Sequence, residues 1–461
     1  MISVTEAWFA LVGTLVMVLA VIAGGASAMT EDTDREVWTP DTPELAADAA
    51  DGSPAAILNG ESYDRLGAAL DAAEPGDEIE LAGHFEERVT VDTPNVTLRA
   101  ADGANFRPRL DGGGEGTVLT INATGVTVEG LWVGDSGTQR SEEHAGMLVR
   151  GDDATIQNNR IADVTFGIWV SSATDVIIAD NEISGDADRS RNQRGNGIHL
   201  FEADGATVEH NDVRTVRDGI YYQWSSDVVA TDNNLWDLRY GVHYMYSDDN
   251  VLSGNLAFGN DVGFALMISQ NLTITDNLVV DNRQGASQHG ILVKDIDDSE
   301  ISGNEIVGNG NGLYVYNAHD NVIEDNLVME NHVGIHFTAG SSGERVVNNT
   351  FMHNDRSAHA TQTAHLSDWN ATDRGNYWSD ARTIDLDGDG ASEVRHRPAG
   401  TLEDLLRAHP GAEAFSESPA FDAVRLAESS FPILEGSGVV DHHPLTEPPH
   451  DHWRQYYEDH D

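Results

Sequence analysis

A repeat that is most often 22 residues long is the feature that most restricts how this chain can fold. Glycine followed by apolar residues recurs at spacings of 21, 30, 22, 22, 22, 27, 22 and 22 residues, at Gly146, Gly167, Gly197, Gly219, Gly241, Gly263, Gly290, Gly312 and Gly334. The two longer intervals carry inserts, DADRSRNQR around Arg189 and RQGAS around Gln284. A fixed period in this range is typical of a solenoid whose turns pack on one another.

An asparagine follows most of these glycines after about 14 residues, at Asn159, Asn181, Asn211, Asn233, Asn255, Asn277, Asn304, Asn326 and Asn349. Turns of a β-solenoid stack about 4.8 Å apart, so asparagines at one corner can hydrogen-bond as a ladder. We therefore interpret them as structural residues rather than ligands. Glycines at the corners are expected to supply positive φ angles.

Each turn is predicted to hold two short alternating strands, such as GIYYQ and DVVAT, with no segment long enough for a helix. The predicted fold is therefore all-β, a parallel β-helix of the pectin-lyase-like kind. Its inward residues are expected to include Ile168, Val170, Ile198, Leu200, Ile220, Tyr222, Val242, Tyr244, Phe264, Leu266, Ile335 and Phe337. A short helix around residues 66–72 is expected to cap the open N-terminal end.

The charge of the chain excludes several classes of partner. Its 26 basic and 78 acidic residues give a formal charge of -52, and Lys294 is the only lysine. Such a chain repels nucleic acid and anionic membrane surfaces. We interpret the acidity as a salt-adapted surface, with a metal-collecting surface as the alternative. The absence of cysteine excludes disulfides, cysteine-based metal sites and a thiol nucleophile.

Composition divides the chain into four segments. Residues 7–28 hold no charge and end in small residues, so residues 1–28 are predicted to be a signal peptide or a transmembrane anchor. Residues 29–54 are predicted to be an acidic linker, residues 55–378 the β-helix, and residues 379–461 a calcium-loop-like segment with a docking tail. The protein is therefore expected to be extracytoplasmic, periplasmic or at the cell surface.

Alternation predicts which side chains face outwards on the strand that starts at each repeat glycine. In order along the chain they are Leu148 and Arg150, Trp169 and Ser171, His199 and Phe201, Tyr221 and Gln223, His243 and Met245, Ala265 and Met267, Leu292 and Lys294, Tyr314 and Tyr316, and His336 and Thr338. We call these residues the outer strip. A strip poor in carboxylates on so acidic a chain indicates a covered or docking face, a metal-handling face, or a face that stacks on sugar rings.

The metal hypothesis predicts copper, because imidazole and thioether are the soft donors that Cu(I) prefers. His243 and Met245 lie two residues apart on one strand, and Met267 lies one turn above Met245, about 4.8 Å away. These three side chains could converge on one ion, and His199 and His336 complete the candidate ligand set. Four other residues beside repeat glycines, Asp218, Asp261, His289 and His332, are expected to be corner residues. No acid–base constellation is apparent, so the chain is predicted not to be an enzyme.

Beyond the repeat, Asp385, Asp387 and Asp389 alternate before Gly390, as in the opening of a calcium loop. Glu393 holds the ninth place, but His396 stands at the twelfth, where a bidentate acid is expected. Calcium binding and a plain acidic turn both remain open. Residues 401–409 are predicted to be helical and residues 431–445 extended. The tail that carries His442, His443, His450, His452 and His460 is predicted to be solvated, with metal collection as the alternative.

Several motifs together resemble the NosD family over residues 57–445. They are RGNGIHLF (194–201), RDGIYYQWS (217–225), RYGVHYMYSDDN (239–250), GNYWSD (375–380), DLDGDG (385–390) and VVDHHPL (439–445). The resemblance implies a right-handed β-helix and a non-enzymatic role. NosD-like proteins dock on an ABC transporter made of NosF and NosY. They act with the copper chaperone NosL on the copper–sulfur centre of nitrous oxide reductase.

The resemblance thus implies that copper or sulfur is the cargo, with the energy supplied by the transporter. The sequence leaves two other functions open on the same fold. One is a polysaccharide lyase or epimerase, and the other is a glycan-binding surface protein.

Overall fold

The chain winds into a parallel β-helix with three sheets, A, B and C, running along its length. The computed structural model describes residues 39–40, 52–102, 106–338, 340–360, 366–371, 373–399 and 438–457. Strands of one sheet pair in parallel from turn to turn, apart from an antiparallel start formed by the first three strands of sheet A. The predicted all-β solenoid is confirmed.

The strands are numbered in chain order. Sheet A contains β1 (Ala55–Leu58), β2 (Glu61–Tyr63), β3 (Glu78–Ala82), β6 (Thr97–Ala100), β9 (Thr127–Glu129), β12 (Thr155–Gln157), β15 (Ile177–Ala179), β18 (Thr207–Glu209), β21 (Val229–Thr231), β24 (Val251–Ser253), β27 (Thr273–Thr275), β30 (Glu300–Ser302), β33 (Val322–Glu324) and β36 (Arg345–Val347). Sheet B contains β4 (His84–Glu86), β7 (Arg109–Asp111), β10 (Trp132–Gly134), β13 (Arg160–Val164), β16 (Glu182–Gly185), β19 (Asp212–Arg214), β22 (Asn234–Trp236), β25 (Leu256–Phe258), β28 (Leu278–Val280), β31 (Glu305–Val307), β34 (Leu327–Met329), β37 (Thr350–Met352) and β40 (Tyr377–Trp378).

Sheet C contains β5 (Val89–Val91), β8 (Leu119–Ile121), β11 (Ala145–Val149), β14 (Phe166–Ser171), β17 (Ile198–Phe201), β20 (Asp218–Gln223), β23 (Tyr240–Met245), β26 (Val262–Gln270), β29 (His289–Asp297), β32 (Asn311–Tyr316), β35 (Val333–Phe337) and β38 (Arg356–Ala360). A small separate sheet contains β39 (Leu366–Asp368), β41 (His396–Ala399) and β42 (Gly438–Asp441). The helices within the described residues are α1 (Leu66–Ala72) and the 3₁₀ turns Arg140–Glu142, Arg191–Gln193 and His452–Tyr457.

Each turn of the helix carries three strands, so the prediction of two strands per turn was wrong. The strands that sequence reasoning missed are those of sheet B, which follow the ladder asparagine directly. Most are only three residues long, as in β22 after Asn233. Three residues are too few to display the alternation by which strands are recognised in a sequence.

Every predicted inward residue of sheet C is buried, and the core that these residues form runs along the axis of the solenoid. Tyr222 and Tyr244 stack inside it with ring centroids 4.2 Å apart. At the N-terminal end, helix α1 lies where it was predicted, buries Leu66, Ala69 and Leu70, and packs on β1 and β5. None of the helices in the described ranges has the length and apolar content that a bilayer crossing requires.

The predicted asparagine ladder is present. The side-chain amide of each of its asparagines donates to the side-chain oxygen of the next over 2.9–3.1 Å, and the ladder continues to Asn376. A second ladder of the same kind, missed in the sequence, joins Asn282, Asn309, Asn331 and Asn354. These buried, fully hydrogen-bonded rows fix the register of successive turns.

The expected positive φ angles at corner glycines are confirmed at Gly205, Gly254 and Gly303, whereas none of the nine repeat glycines has one. The repeat glycines lie in strands of sheet C or, in the case of Gly197, just before one, where neighbouring backbones approach closely. A Cβ atom on Gly219 would stand 2.4 Å from the carbonyl oxygen of Gly241. The left-handed corner positions belong mostly to aspartate and asparagine, such as Asp227 and Asp249, whose short polar side chains tolerate that conformation.

Two motifs of the C-terminal region meet at the end of the solenoid. Asp441 accepts hydrogen bonds from the backbone N–H of Asn376 (2.7 Å) and from Trp378 Nε1 (2.9 Å). GNYWSD and VVDHHPL thus close the last turn together, and the predicted extended segment holds strand β42. The predicted signal peptide or anchor, the predicted helix at 401–409 and His460 lie outside the described residues.

Replacing Glu344 by Gln is expected to change how stability depends on pH. Glu344 is buried and accepts hydrogen bonds from the N–H and side-chain amide of Asn321, and burial raises its pKa to about 7. Because the folded pKa lies above the unfolded value of 4.5, this group makes the protein less stable as pH rises towards and through 7. Glutamine mimics the protonated acid, so from pH 5 to 8 the variant should gain about 2–3 kcal/mol relative to wild type. Denaturant unfolding at both pH values measures this gain, and parallel pH profiles would contradict it.

Candidate functional site

The outer strip lies on the outer side of sheet C, and its first members form one column along the solenoid. Paired residues from strand to strand are Leu148, Trp169, His199, Tyr221, His243, Ala265, Leu292, Tyr314 and His336, followed by His359. The histidines are therefore spread along the column. Apolar Ala265 and Leu292 separate two runs of aromatic and histidine side chains.

The first run contains a buried charged cluster at His243. Asp218 is 1% exposed in its side chain and His243 10%, and His243 Nδ1 lies 3.2 Å from Asp218 Oδ2. Arg239 donates to the same carboxylate from Nε (2.8 Å) and Nη2 (2.6 Å), and its guanidinium lies over the Tyr240 ring. Tyr221 and Tyr240 pack edge-on against His243. The cluster is thus a carboxylate held between a guanidinium and an imidazole.

Asp218 was predicted to be a corner residue, and this was wrong: it is the first residue of β20 and lies on the outer side of sheet C. Its outward position could not be predicted from the sequence, because the alternation of inward and outward residues is broken at the repeat glycine. Ile220 is fully buried, and a Cβ on Gly219 would also meet core side chains, those of Leu238 and Leu235. Two consecutive residues therefore face inwards, which leaves both Asp218 and Tyr221 on the outer side.

The cluster leaves one imidazole nitrogen available. Burial alone would raise the pKa of Asp218, but the hydrogen bonds from His243 and Arg239 outweigh it and lower the pKa. An ionised carboxylate only accepts hydrogen bonds, so His243 carries its proton on Nδ1. Its Nε2 atom is buried and has no hydrogen-bond partner among the described residues. A carboxylate that orients a histidine in this way is the usual outer-shell arrangement behind a metal-bound imidazole.

The predicted methionine ligands lie beside His243 on the same face. Met245 is two residues further along β23, and Met267 takes the equivalent place on β26, since His243 pairs with Ala265. Both side chains are half-buried. Met267 also packs in an apolar cluster with Tyr240, Ala265 and Leu292, and it pairs with Lys294 on the next strand.

His199 lies two turns from His243, with the Tyr221 ring between them. It stacks on Trp169 at 3.9 Å between ring centroids, and its Nδ1 is 3.4 Å from the amide of Asn196. Burial lowers its pKa to about 3, against a smaller opposing effect of Gln223. His199 is therefore neutral at physiological pH and belongs to an aromatic stack rather than to the His243 cluster.

His336 lies four turns from His243, about 19 Å at the spacing of parallel strands. The two therefore cannot bind one ion. His336 stacks on His359 at 4.2 Å and contacts Tyr314, which in turn stacks on His289. His289 begins strand β29 and is not the predicted corner residue, and burial lowers its pKa to about 4. His359 was missed because the repeat is irregular there.

Two other predicted corner residues lie at the edge of sheet C. His332 is exposed and pairs with Asp355, whereas Asp261 accepts hydrogen bonds from the N–H groups of Ser287 and Gln288. Both immediately precede their strands, as a corner position requires.

The predicted calcium loop is exposed. Ligand atoms of Asp385, Asp387 and Glu393 lie within 4.8 Å of one another, the one such group of three among the described histidine and acidic residues, and Asp389 is outside it. Asp385 accepts from the N–H groups of Gly388 and Gly390, and Glu393 from that of Leu386. The loop thus satisfies its own carboxylates, and calcium binding remains a prediction.

The tail was predicted to be solvated, which holds for the exposed His452 but was wrong for His450 and for the aromatic residues near it. His450 bonds Thr350 Oγ1 (2.8 Å) and the carbonyl of Asp325 (2.9 Å). Trp453, Tyr456 and Tyr457 pack on the apolar outer side of sheet B, which holds Trp236, Phe258 and Met329. The aromatic residues of the tail were the sequence feature from which this packing on sheet B could have been predicted.

A family model described as "Periplasmic copper-binding protein (NosD)" matches residues 179–383, which include the whole His243 cluster. A relative from Stutzerimonas stutzeri, called "Probable ABC transporter binding protein NosD", is 34% identical over 381 residues. The alignment covers 80% of this chain and 86% of the relative. This chain belongs to the NosD family. A second NosD relative, from Pseudomonas aeruginosa, is also 34% identical, over 83% of this chain and 94% of its own.

Among solved structures, this NosD chain is similar to the A-module of the mannuronan C-5 epimerase AlgE6 of Azotobacter vinelandii. The TM-score is 0.47 and the identity 14%, over 68% of this chain and 96% of that one. The Dettilon tailspike protein gives a TM-score of 0.47 and 12% identity, over 68% of this chain and 67% of that one. Likeness at this level says nothing about activity.

Proposed function

We propose that this chain is an extracytoplasmic accessory protein that handles copper during assembly of the copper–sulfur centre of nitrous oxide reductase. The observation that carries the proposal is the unpartnered Nε2 of His243, oriented by the buried carboxylate of Asp218. The family's description as periplasmic and copper-binding supports the location and the cargo.

In this proposal His243 Nε2 is the nitrogen donor, and the thioethers of Met245 and Met267 are soft donors beside it. Methionine side chains are flexible and polarisable, so they can close around an ion and release it again. Such a site suits transfer of Cu(I) better than permanent storage. His199 and His336 lie too far away to share this ion.

The partners in this proposal are a NosF/NosY-like ABC transporter, a NosL-like copper chaperone and nitrous oxide reductase. The relatives' name, ABC transporter binding protein, supports the first of them. The sequence has no phosphate-binding loop, so the energy for any transport step would come from the transporter.

A polysaccharide lyase or epimerase is the second candidate, favoured by the same cluster. A buried Asp–His pair with Arg239 and two tyrosines is an arrangement that can abstract a proton from a uronic acid. Incubation with alginate or pectate oligosaccharides would separate the two candidates. Unsaturated or epimerised products that require His243 would replace the copper proposal.

Capture of partners tests the assembly role. The tagged full chain is expected to recover a membrane ABC transporter and nitrous oxide reductase from cells that respire nitrous oxide. An unrelated protein of similar negative charge, used as bait at the same salt concentration, controls for electrostatic adsorption. Recovery of neither partner, or of both with the control bait, would count against the proposed function.

A further inference from the structure

Arginines gather at the corner between sheets B and C, where they line an open groove of about 500 Å³. The charged residues of its lining are Arg189, Arg191, Arg194, Arg239, Asp237 and Asp261. Three of the four arginines come from the insert at residues 186–194, which is additional to the 22-residue repeat. In a chain with three acidic residues for each basic one, a lining with more arginines than aspartates is unusual.

Two of these arginines have no acidic partner within the described part of the chain. Arg189 donates to Thr165 Oγ1 (3.0 Å) and to the carbonyl of Thr138 (3.1 Å). Arg194 donates only to the backbone carbonyls of Asp186, Ala187 and Arg189. Neutral acceptors hold both guanidinium groups in place, so their charge is not cancelled by the protein.

The remaining arginines are only partly neutralised. Arg191 lies 3.4 Å from the half-exposed Asp237, and Arg239 is bound by the buried Asp218. Arg140 adjoins the groove through a hydrogen bond to the carbonyl of Asn192. Burial, and after it the nearby Arg217, lowers the pKa of Arg140.

We infer that this groove binds a small multivalent oxyanion, a di- or tricarboxylate or a phosphate. Guanidinium groups pair bidentately with both kinds of oxyanion, and preformed arginines lose little entropy on binding. The groove volume falls in the lower part of the range for small-molecule sites, which favours a ligand the size of citrate over a polymer. The site does not depend on copper binding, because His243 is not among the residues that line the groove.

Calorimetric titration of the full chain with citrate, inorganic phosphate and inorganic sulfate tests the inference. The titrations are made at the lowest potassium chloride concentration at which circular dichroism shows the folded protein. We expect saturable one-site binding of at least one of these anions. The anion that binds distinguishes a carboxylate from a phosphate or sulfate ligand, and no binding by wild type would overturn the inference.

The double variant Arg189→Gln/Arg191→Gln is expected to weaken binding at least tenfold. A matched double variant, Arg65→Gln/Arg345→Gln, removes two exposed arginines far from the groove and should leave the affinity unchanged. Equal weakening in both would show non-specific charge effects and overturn the inference. If the glutamine variant does not fold, Arg189→Lys/Arg191→Lys keeps the charge, and its loss of the guanidinium fork should still weaken binding.

Discussion

Replacing Gly263 by Ala is expected to lower the free energy of unfolding by about 3 kcal/mol or more, since overpacking against rigid backbone is costly. A Cβ atom at this position would stand 2.4 Å from Val279 Cγ1 and 2.6 Å from the carbonyl oxygen of Gly290. The valine can move, but the carbonyl belongs to the neighbouring strand of sheet C and cannot yield without breaking its pairing. The whole turn must therefore shift.

Gly259→Ala is the matched control for this prediction. Gly259 has a φ of +61°, and a Cβ there would meet nothing within 4 Å. Its substitution should cost only the strain of the left-handed conformation, about 1–2 kcal/mol. Denaturant unfolding of the two variants compares the cost of the steric clash at Gly263 with the cost of the left-handed conformation at Gly259. A Gly263 variant no less stable than the Gly259 variant would contradict the packing explanation.

The repeat was enough to predict the fold because its period gives the number of residues in one turn of the solenoid. The asparagine ladder followed from the same register, and so did the inward set of sheet C. The strands of sheet B could not be found in this way, since three residues after an asparagine carry no alternation. The role of the repeat glycines was also hidden, because a sequence does not show how closely two strands approach.

The candidate site was only half visible in the sequence. Alternation from Tyr221 onwards placed His243, Met245 and Met267 on one face. It excluded Asp218, because Gly219 and Ile220 both point inwards and break the alternation. Without Asp218 the strip was a set of soft donors with nothing to orient them. The structure adds the buried carboxylate and, with Arg239, the charge that keeps it ionised.

Asp218→Asn is expected to weaken Cu(I) binding about 10- to 100-fold, the usual effect of losing an outer-shell partner of a histidine ligand. The asparagine amide can donate to Nδ1, which would move the imidazole proton to Nε2 and block the proposed donor atom. His243→Ala removes that atom outright and should weaken binding at least as much. Anaerobic competition with a chromophoric Cu(I) chelator measures the affinity of each variant.

The chain offers a matched control for this experiment in a second His–Asp pair. His332 Nδ1 lies 2.8 Å from Asp355 Oδ2, but both side chains are exposed, at 64% and 72%. Asp355→Asn should therefore leave Cu(I) affinity unchanged, because an exposed imidazole is oriented by water as readily as by a carboxylate. Thermal melting confirms that each variant is folded, since losing Asp218 also deprives Arg239 of its partner. A folded Asp218→Asn protein that binds Cu(I) with wild-type affinity would show that this cluster is not the copper site. If Cu(I) affinity fell only in Met245→Ala or Met267→Ala, the copper site would instead lie at the methionines of the outer strip.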